Sequence, residues 1–293
     1  MKASAFSYIK PSTVQETLAL LAAHGEEAKL LSGGQSLMPA LNLRLSAPEW
    51  LIDIGGLDDL RGISVSDGVL RIGAITRHVE LLRSSEVADN APLLAQAMAH
   101  VAHPAIRNKG TLGGNLAHAD PASEMPACMV ALDAVLVARN AKRERRIPAT
   151  EFFTGVYETV LAPDEMLVAV EVPVAEVGQV HYFHEYCRRS GDYAIVGLAA
   201  SAVVEGDRFA DLRLGFFAVG DRPLLANAAR ELIGRPVDAA ALAAAQAALE
   251  AELDPQEDQQ ASALMRRHMA RQLLALCVAT LLRRPDLEIR RSA

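Results

Sequence analysis

At 293 residues, with 51% hydrophobic and 22% charged residues, the chain has the composition of a globular protein with room for one large or two to three modest domains. Its net charge of -7 and pI near 5.6 argue against a nucleic-acid or anionic-membrane surface, which needs clustered Lys and Arg. No stretch approaches the ~20 apolar residues that cross a bilayer, and the opening "MKASAFSYIKPS" has no uninterrupted apolar run, so we expect a cytoplasmic protein. Cys128, Cys187 and Cys277 are far apart and form no CxxC. Neither a disulfide framework nor a Cys-ligated iron–sulfur cluster can be built within the chain, and any cluster chemistry must come from a partner.

"STVQETLALLAAH" at 12–24 reads as a helix, with Ser12 and Thr13 as hydroxyl caps and Gly25 as its stop. "AKLLSGG" is a short buried strand entering a glycine turn, and "WLIDIGG" at 50–56 is another strand; strand, turn, helix and strand make one unit. "GVLRIGA" at 68–74 alternates like a strand, and Thr76 is placed to cap a helix through "RHVELLRSSEV". "APLLAQAMAHVAH" predicts a helix with Pro92 in its first turn and Pro104 as its end. The loop "AIRNKGTLGGNLAHADPASE" follows, with a helix start at 122–124. "ALDAVLVARN" and "EMLVAVEVPV" then have strand character, separated by the polar "AKRERRIPATEFF".

Around residue 176 the pattern changes. "VHYFHEYCRR", "YAIVGLAASAVVEG" and "DLRLGFFAVG" read as three strands at hairpin-like spacing, and 223–283 carry almost only helical signals. "DAAALAAAQAALEAEL" predicts a surface or packing helix. The last helix places Leu264, Leu273, Leu276 and Leu281 near one face and ends at Pro285. We therefore expect residues 1–176 to form one α+β body, with parts at about 1–55 and 56–176, and residues 177–293 a smaller domain of a three-stranded sheet plus helices.

The glycine segments carry the chemistry. "SGGQS" at 32–36 is by itself a tight turn of a common kind. "TLGGN" at 111–115 repeats the combination of hydroxyl, paired glycine and amide. Two such segments suit a diphosphate gripped by backbone N–H groups, because glycine lets the main chain approach and consecutive amides form an anion-binding concavity. Ser32, Ser36, Thr111 and Asn115 can add side-chain donors, and no lysine is required. No GxxxxGK[ST] and no GxGxxG occurs on a strand-to-helix turn, so a P-loop nucleotidase and a Rossmann dehydrogenase lose their main support.

In this order, "LLSGGQSLMPALNLRL…LIDI", "IRNKGTLGGNLAHADPASEMPA" and "RRSGDYAIVGLAA" resemble the FAD-binding medium subunit of molybdenum hydroxylases, the group of aerobic carbon monoxide dehydrogenase and the xanthine dehydrogenase flavin module. The resemblance implies an FAD domain of the vanillyl-alcohol-oxidase-like type. It implies that Lys29, Leu30, Leu31, Ser32, Gly33, Gly34, Gln35, Ser36 and Leu37 wrap the pyrophosphate, with Thr111, Gly113, Gly114 and Asn115 as the other half of the cradle. Ala102, Ala119 and Asp120 would lie along the cofactor, with the Asp120 carboxylate on a sugar hydroxyl. Leu161, Met166 and Leu167 would be apolar neighbours of the adenine or the ring, and Tyr193 would lie near the isoalloxazine. A Cβ at Gly33 or Gly113 would fill the phosphate space while leaving the fold largely intact. No residue need be a catalytic acid or base. The implied partners are a small iron–sulfur subunit and a large molybdenum-cofactor subunit, in a heterotrimer or its dimer, with FAD passing electrons to an external acceptor.

A rival reading is a self-contained FAD oxidase or reductase with its own organic substrate, for which Tyr193, His181 and His184 are the candidate groups. "HYFHEYC" offers His181, His184 and Cys187, but positions three apart on a strand face opposite ways, so a metal site is not expected. His100 and His103 read as helix-end caps, Glu124 as a helix N-terminal carboxylate, and "KRERR" at 142–146 and the terminal "RRPDLEIRRSA" as solvated segments.

Overall fold

The computed structural model describes residues 2–287; the end of the terminal basic segment, "EIRRSA", lies outside the described residues. Strand β1 (Ser7–Ile9) is followed by helix α1 (Val14–His24), β2 (Ala28–Leu31), α2 (Leu37–Asn42) and β3 (Trp50–Asp53). The three strands pair in parallel in the order β1-β3-β2, with Tyr8 opposite Leu51 and Leu30 opposite Ile52. Parallel pairing requires crossovers, and α1 supplies the first. It starts where the sequence predicts: Thr13 accepts from the Glu16 N–H at 3.1 Å, while Glu16 reaches back to the Ser12 N–H at 2.7 Å.

The second body contains β4 (Ile63–Ser66), β5 (Val69–Gly73), α3 (His78–Arg83), α4 (Ser85–Asn90), α5 (Pro92–Met98), α6 (Pro104–Arg107), α7 (Leu112–His118) and α8 (Glu124–Ala131). It continues with β6 (Val135–Arg139), β7 (Glu144–Pro148), α9 (Ala149–Phe152), β8 (Phe153–Gly155), β9 (Glu158–Thr159) and β10 (Met166–Pro173). Its antiparallel sheet runs β4-β5-β10-β6-β7. One face packs on the first sheet through Val137, Met166 and Val168. The other buries the helices through Leu70, Ile72, Leu136 and Val170. Strand β10 is buried on both faces, which explains its apolar run from Met166 to Val170.

The third body is β11 (Gln179–Tyr186), β12 (Val196–Glu205), β13 (Arg208–Phe217), β14 (Leu224–Leu225), α10 (Ala239–Glu252) and α11 (Ala263–Leu282). Its sheet faces α10 and α11 through Leu198, Leu214 and Phe216, and the second body through Ala199 and Phe217. The alanine-rich helix is a packing helix, burying Ala241, Leu242, Ala245 and Leu249.

Several local expectations are corrected. Thr76 is not a cap: its hydroxyl is engaged with the Gly62 backbone at 3.0 and 3.2 Å, so Arg77 takes the cap position, and Ser84 interrupts the helix to cap α4. Pro104 begins a short helix rather than ending one, because its missing N–H costs nothing in a first turn. The "RERR" residues Glu144–Arg146 belong to β7: Arg145 forms a bidentate pair with Glu165 at 2.7 and 2.6 Å, and Arg146 pairs with Glu171. The C-terminal sheet gains a two-residue fourth strand, β14. Leu264 is 77% exposed, since nine helical residues separate it from Leu273 and put it on the opposite side.

Candidate functional site

The first glycine segment leaves the carboxyl end of β2, where parallel sheets place ligand loops. Gly34 turns the chain with φ +72, and α2 starts three residues later. Among the described residues, the N–H groups of Gly33, Gly34, Gln35 and Ser36 have no protein acceptor. Four successive free donors make the concavity that an anion needs.

The second segment is not a loop. Thr111 caps α7, its hydroxyl accepting from the Gly114 N–H at 3.2 Å, so both glycines lie in the first turn of a helix. Across 79 residues, the Ser32 and Thr111 hydroxyls meet at 2.8 Å. Gly114 faces that junction: a Cβ there would lie 2.7 Å from Thr111 Oγ1 and 3.7 Å from Ser32 Cβ. The two segments therefore form one continuous surface.

Two of the glycines are needed for a different reason from the one expected. A Cβ on Gly33 would meet the Lys109 carbonyl oxygen at 2.3 Å and Gly110 Cα at 2.8 Å. On Gly113 it would meet Ala74 Cβ at 2.6 Å and the Ala74 oxygen at 2.7 Å, the same carbonyl that accepts from the Gly113 N–H at 2.8 Å. Substitution at either position pushes protein backbone apart, so the expectation of an intact fold with only the phosphate space filled is corrected.

Beyond α7, Ala119 takes a left-handed φ of 52 and releases the chain into Asp120, which is 9% exposed. One Asp120 oxygen accepts from the Ala122 N–H at 2.9 Å and the other from the Tyr157 hydroxyl at 3.5 Å. Asn115 is engaged reciprocally with Ser123, at 2.8 and 3.1 Å, which holds this turn to α7. Ala102 (φ 45) has its carbonyl held by Arg107 at 2.7 Å, and the Gly191 turn packs on the same carbonyl and on the His103 ring. Tyr193, just beyond that turn, keeps 61% of its surface exposed. Loss of water from the remainder, then the charges of Asp120 and Glu124, raises its phenol pKa.

Other expected residues stand apart from this surface. Lys29, in β2, is exposed, while Leu30 and Leu161 are partly buried against the cores. Met166 and Leu167 are 1% and 5% exposed and point to opposite faces of β10, into two different clusters.

Sequence reasoning does not single out Tyr157, and in a second group it reads His100 and Glu124 only as helix-end residues. Tyr157, 56% exposed at φ 59, lies tilted against His118 with ring centroids 4.8 Å apart and donates to Asp120. The second group is a cluster of two buried carboxylates, Glu124 and Glu185, and the exposed His100, where β11 meets the helices. Glu124, read as a simple helix-end carboxylate, is 8% exposed, and burial, then Glu185 and Asp120, push it up to about 7. His100 lies 3.7 Å from Glu185 rather than capping a helix end, and that partner raises its pKa. No group of metal-ligating side chains occurs among the described residues, and His181 is half-buried in β11.

Comparison with known proteins accounts for this architecture. Residues 4–175 match the family described as the FAD binding domain in molybdopterin dehydrogenase, and residues 181–281 match the CO dehydrogenase flavoprotein C-terminal domain. The chain is 43% identical over 205 residues to the 6-hydroxypseudooxynicotine dehydrogenase complex subunit alpha of Paenarthrobacter nicotinovorans, covering 70% of this chain and 69% of that one. It is 36% identical over 240 residues to the carbon monoxide dehydrogenase medium chain of Hydrogenophaga pseudoflava, covering 82% and 84%. A chain of quinoline 2-oxidoreductase from Pseudomonas putida 86 superposes with a TM-score of 0.91 at 37% identity, over 97% of this chain and 99% of that one. The chain therefore belongs to the family of FAD-binding subunits of molybdopterin dehydrogenases, flavoprotein components of multi-subunit oxidoreductases.

Proposed function

We propose that the chain is the electron-transfer subunit of a molybdenum hydroxylase, holding FAD between the iron–sulfur clusters of a small partner and an external acceptor. Substrate hydroxylation belongs to a large subunit with the molybdenum cofactor, and the complex is a heterotrimer or its dimer. The observation that carries the reading is the junction of the two glycine segments at Ser32 and Thr111, which joins free backbone donors to a capped helix start. Bound FAD supplies the redox chemistry, and the protein binds it, orients it and tunes it.

The residues present fit that cofactor. The N–H groups of Gly33 to Ser36 meet pyrophosphate oxygens, and Gly114 keeps the junction free of a side chain. One of the Ser32 and Thr111 hydroxyls donates to the other, which leaves the second O–H to donate to a phosphate oxygen. The Asp120 carboxylate, set by Ala122 and Tyr157, accepts from a sugar hydroxyl, and Tyr193 offers its exposed ring to the isoalloxazine. Ala102 and Ala119 border the cofactor through backbone alone. We place the division between the FAD domain and the C-terminal domain near residue 176, with the subdomain border near 55. Three free thiols fit a reducing compartment, the cytoplasm.

The test is the visible spectrum of the chain purified alone and after incubation with FAD, followed by denaturation and mass identification of the released cofactor. Released FAD without turnover of organic donors supports the proposal. A chain that stays colourless after incubation refutes the assignment of the cradle, and turnover of an organic donor by the chain alone refutes the electron-transfer role.

A further inference from the structure

Arg266, in the first turn of α11, is 6% exposed; its Nε has no hydrogen-bond partner, and its two terminal nitrogens carry the bonds that compensate its burial. Its Nη1 donates to the carbonyl oxygens of Ile195 (2.5 Å) and Ala218 (3.3 Å), and Nη2 donates to Asp258 (2.7 Å). Both carbonyls lie at the ends of strands that approach the flavin site. Ile195 comes two residues after Tyr193, at the start of β12, and its N–H closes the turn by donating to the Tyr186 carbonyl at 2.6 Å. Ala218 leaves β13 with a left-handed φ of 58, and its N–H donates at 2.8 Å to the carbonyl of Pro121, the residue after Asp120.

The guanidinium thus ties the segment bearing Tyr193 to Ala218, and the Ala218 N–H in turn holds the segment bearing Asp120 in the other domain. The connection between α10 and α11 completes the arrangement. Asp258 accepts from the N–H groups of Gln260 and Ala261 at 2.8 and 3.1 Å, and the Gln260 carbonyl accepts from Arg188 at 2.8 Å. The turn 188–195 is therefore tied at both ends to the start of α11. A lysine cannot reproduce this, because its ammonium is a point donor without the planar fork that spans carbonyl, carbonyl and carboxylate.

We infer that Arg266 is a positioning residue of the flavin site: by bridging Ile195 and Ala218 it sets Tyr193 in register with Asp120. The inference rests on the reading that Tyr193 and Asp120 border FAD. Arg266 touches neither cofactor nor substrate, and it acts through backbone carbonyls.

The experiment compares the full chain with its Arg266→Lys, Arg266→Met and Leu273→Ala variants, the last opening a cavity in the same helix. Melting temperature, FAD affinity, the flavin absorption band and the flavin midpoint potential are read for each. Leu273→Ala is expected to lower the melting temperature with the band and potential of the wild type. Both Arg266 variants are expected to weaken FAD binding by about tenfold or more, the scale of losing buried charge-assisted hydrogen bonds, and to shift the band and potential. The double variant Tyr193→Ala/Arg266→Lys should show no spectral shift beyond Tyr193→Ala alone, since the group being positioned is already gone. Wild-type affinity, band and potential in Arg266→Lys would overturn the inference, as would shifts no different from those of Leu273→Ala. If Arg266→Met does not fold, Arg266→Lys and Asp258→Asn carry the same comparison. A Tyr193→Ala spectrum identical to wild type would remove Tyr193 from the site and this inference with it, which distinguishes that failure from the others.

Discussion

Adjacent glycines in one turn should respond differently to the same added methyl group. In Gly33→Ala the new carbon would lie 2.3 Å from the Lys109 carbonyl oxygen and 2.8 Å from Gly110 Cα, both main-chain atoms that cannot rotate away. The two glycine segments must separate, at the cost of overpacking, about 1–3 kcal/mol. In Gly34→Ala the nearest atoms are Leu31 Cδ1 at 3.2 Å and Met38 Cγ at 3.3 Å, ends of flexible side chains, so the main cost is the left-handed backbone at φ +72, about 1 kcal/mol. At roughly 2–4 °C per kcal/mol for a chain of this size, Gly33→Ala should melt several degrees lower than Gly34→Ala. It should also lose more FAD affinity, because separating the segments breaks the Ser32–Thr111 junction. Thermal melts with and without FAD, together with quenching of flavin fluorescence on binding, give both quantities. The reasoning is refuted if Gly33→Ala matches the wild type in both while Gly34→Ala does not.

Ser32→Ala removes one of the two hydroxyls at the junction; a stability loss of about 1 kcal/mol with a larger proportional loss of FAD affinity is expected, measured by the same melts and titrations. Tyr193→Ala should change the flavin absorption band and reoxidation rate more than FAD affinity; the reverse order in stopped-flow and binding data would remove the ring from the isoalloxazine. For Glu124, whose folded pKa of about 7 lies above its ordinary value, the folded state holds the extra proton between roughly pH 4.5 and 7, so wild-type stability falls as pH rises through that window. Glu124→Gln should abolish this component, gaining on the order of 3 kcal/mol relative to wild type at pH 8 against pH 4; melts at the two pH values with an unchanged difference would show that Glu124 does not carry the proton. The raised His100 pKa adds to the same trend, its pairing with Glu185 being lost as pH rises above the ordinary imidazole value.

Much of this arrangement was readable from local pattern. The cap of α1, the strand before Gly33 and the long apolar β10 follow from periodicity and hydroxyl placement, which need only neighbouring residues. The pair of glycine segments was readable as a diphosphate signal because backbone donors must be exposed by small residues wherever they occur. The reason each individual glycine is required was not. Gly33 and Gly113 answer to Lys109 and Ala74, residues 76 and 39 positions away that no window along the chain can connect. The same limit hid the role of Glu124: its place at a helix start is a local signal, but its raised pKa comes from burial and from Glu185 on a strand of the other domain. Arg145 and Arg146 looked solvated because a basic run is usually so, and only the pairing of β6 with β7 and β10 reveals the carboxylates they meet.

The position of the site at a junction of domains also explains why its chemistry is spread thinly along the chain. A cofactor that carries its own redox reactivity asks the protein for exposed backbone donors, apolar cover and fixed distances, not for a dense set of acids and bases. Exposed backbone donors come from a glycine turn, which the first body supplies beside the Ser32–Thr111 contact. Fixed distances come from buried polar groups that bridge elements, and one of these, Arg266, lies far along the chain in the helix that covers the C-terminal sheet. On the proposed reading, the last body contributes to the flavin site through geometry as well as through Tyr193. A chain truncated before β11 would keep the glycine cradle and Asp120 but lose both Tyr193 and the Ala218 N–H that anchors Pro121.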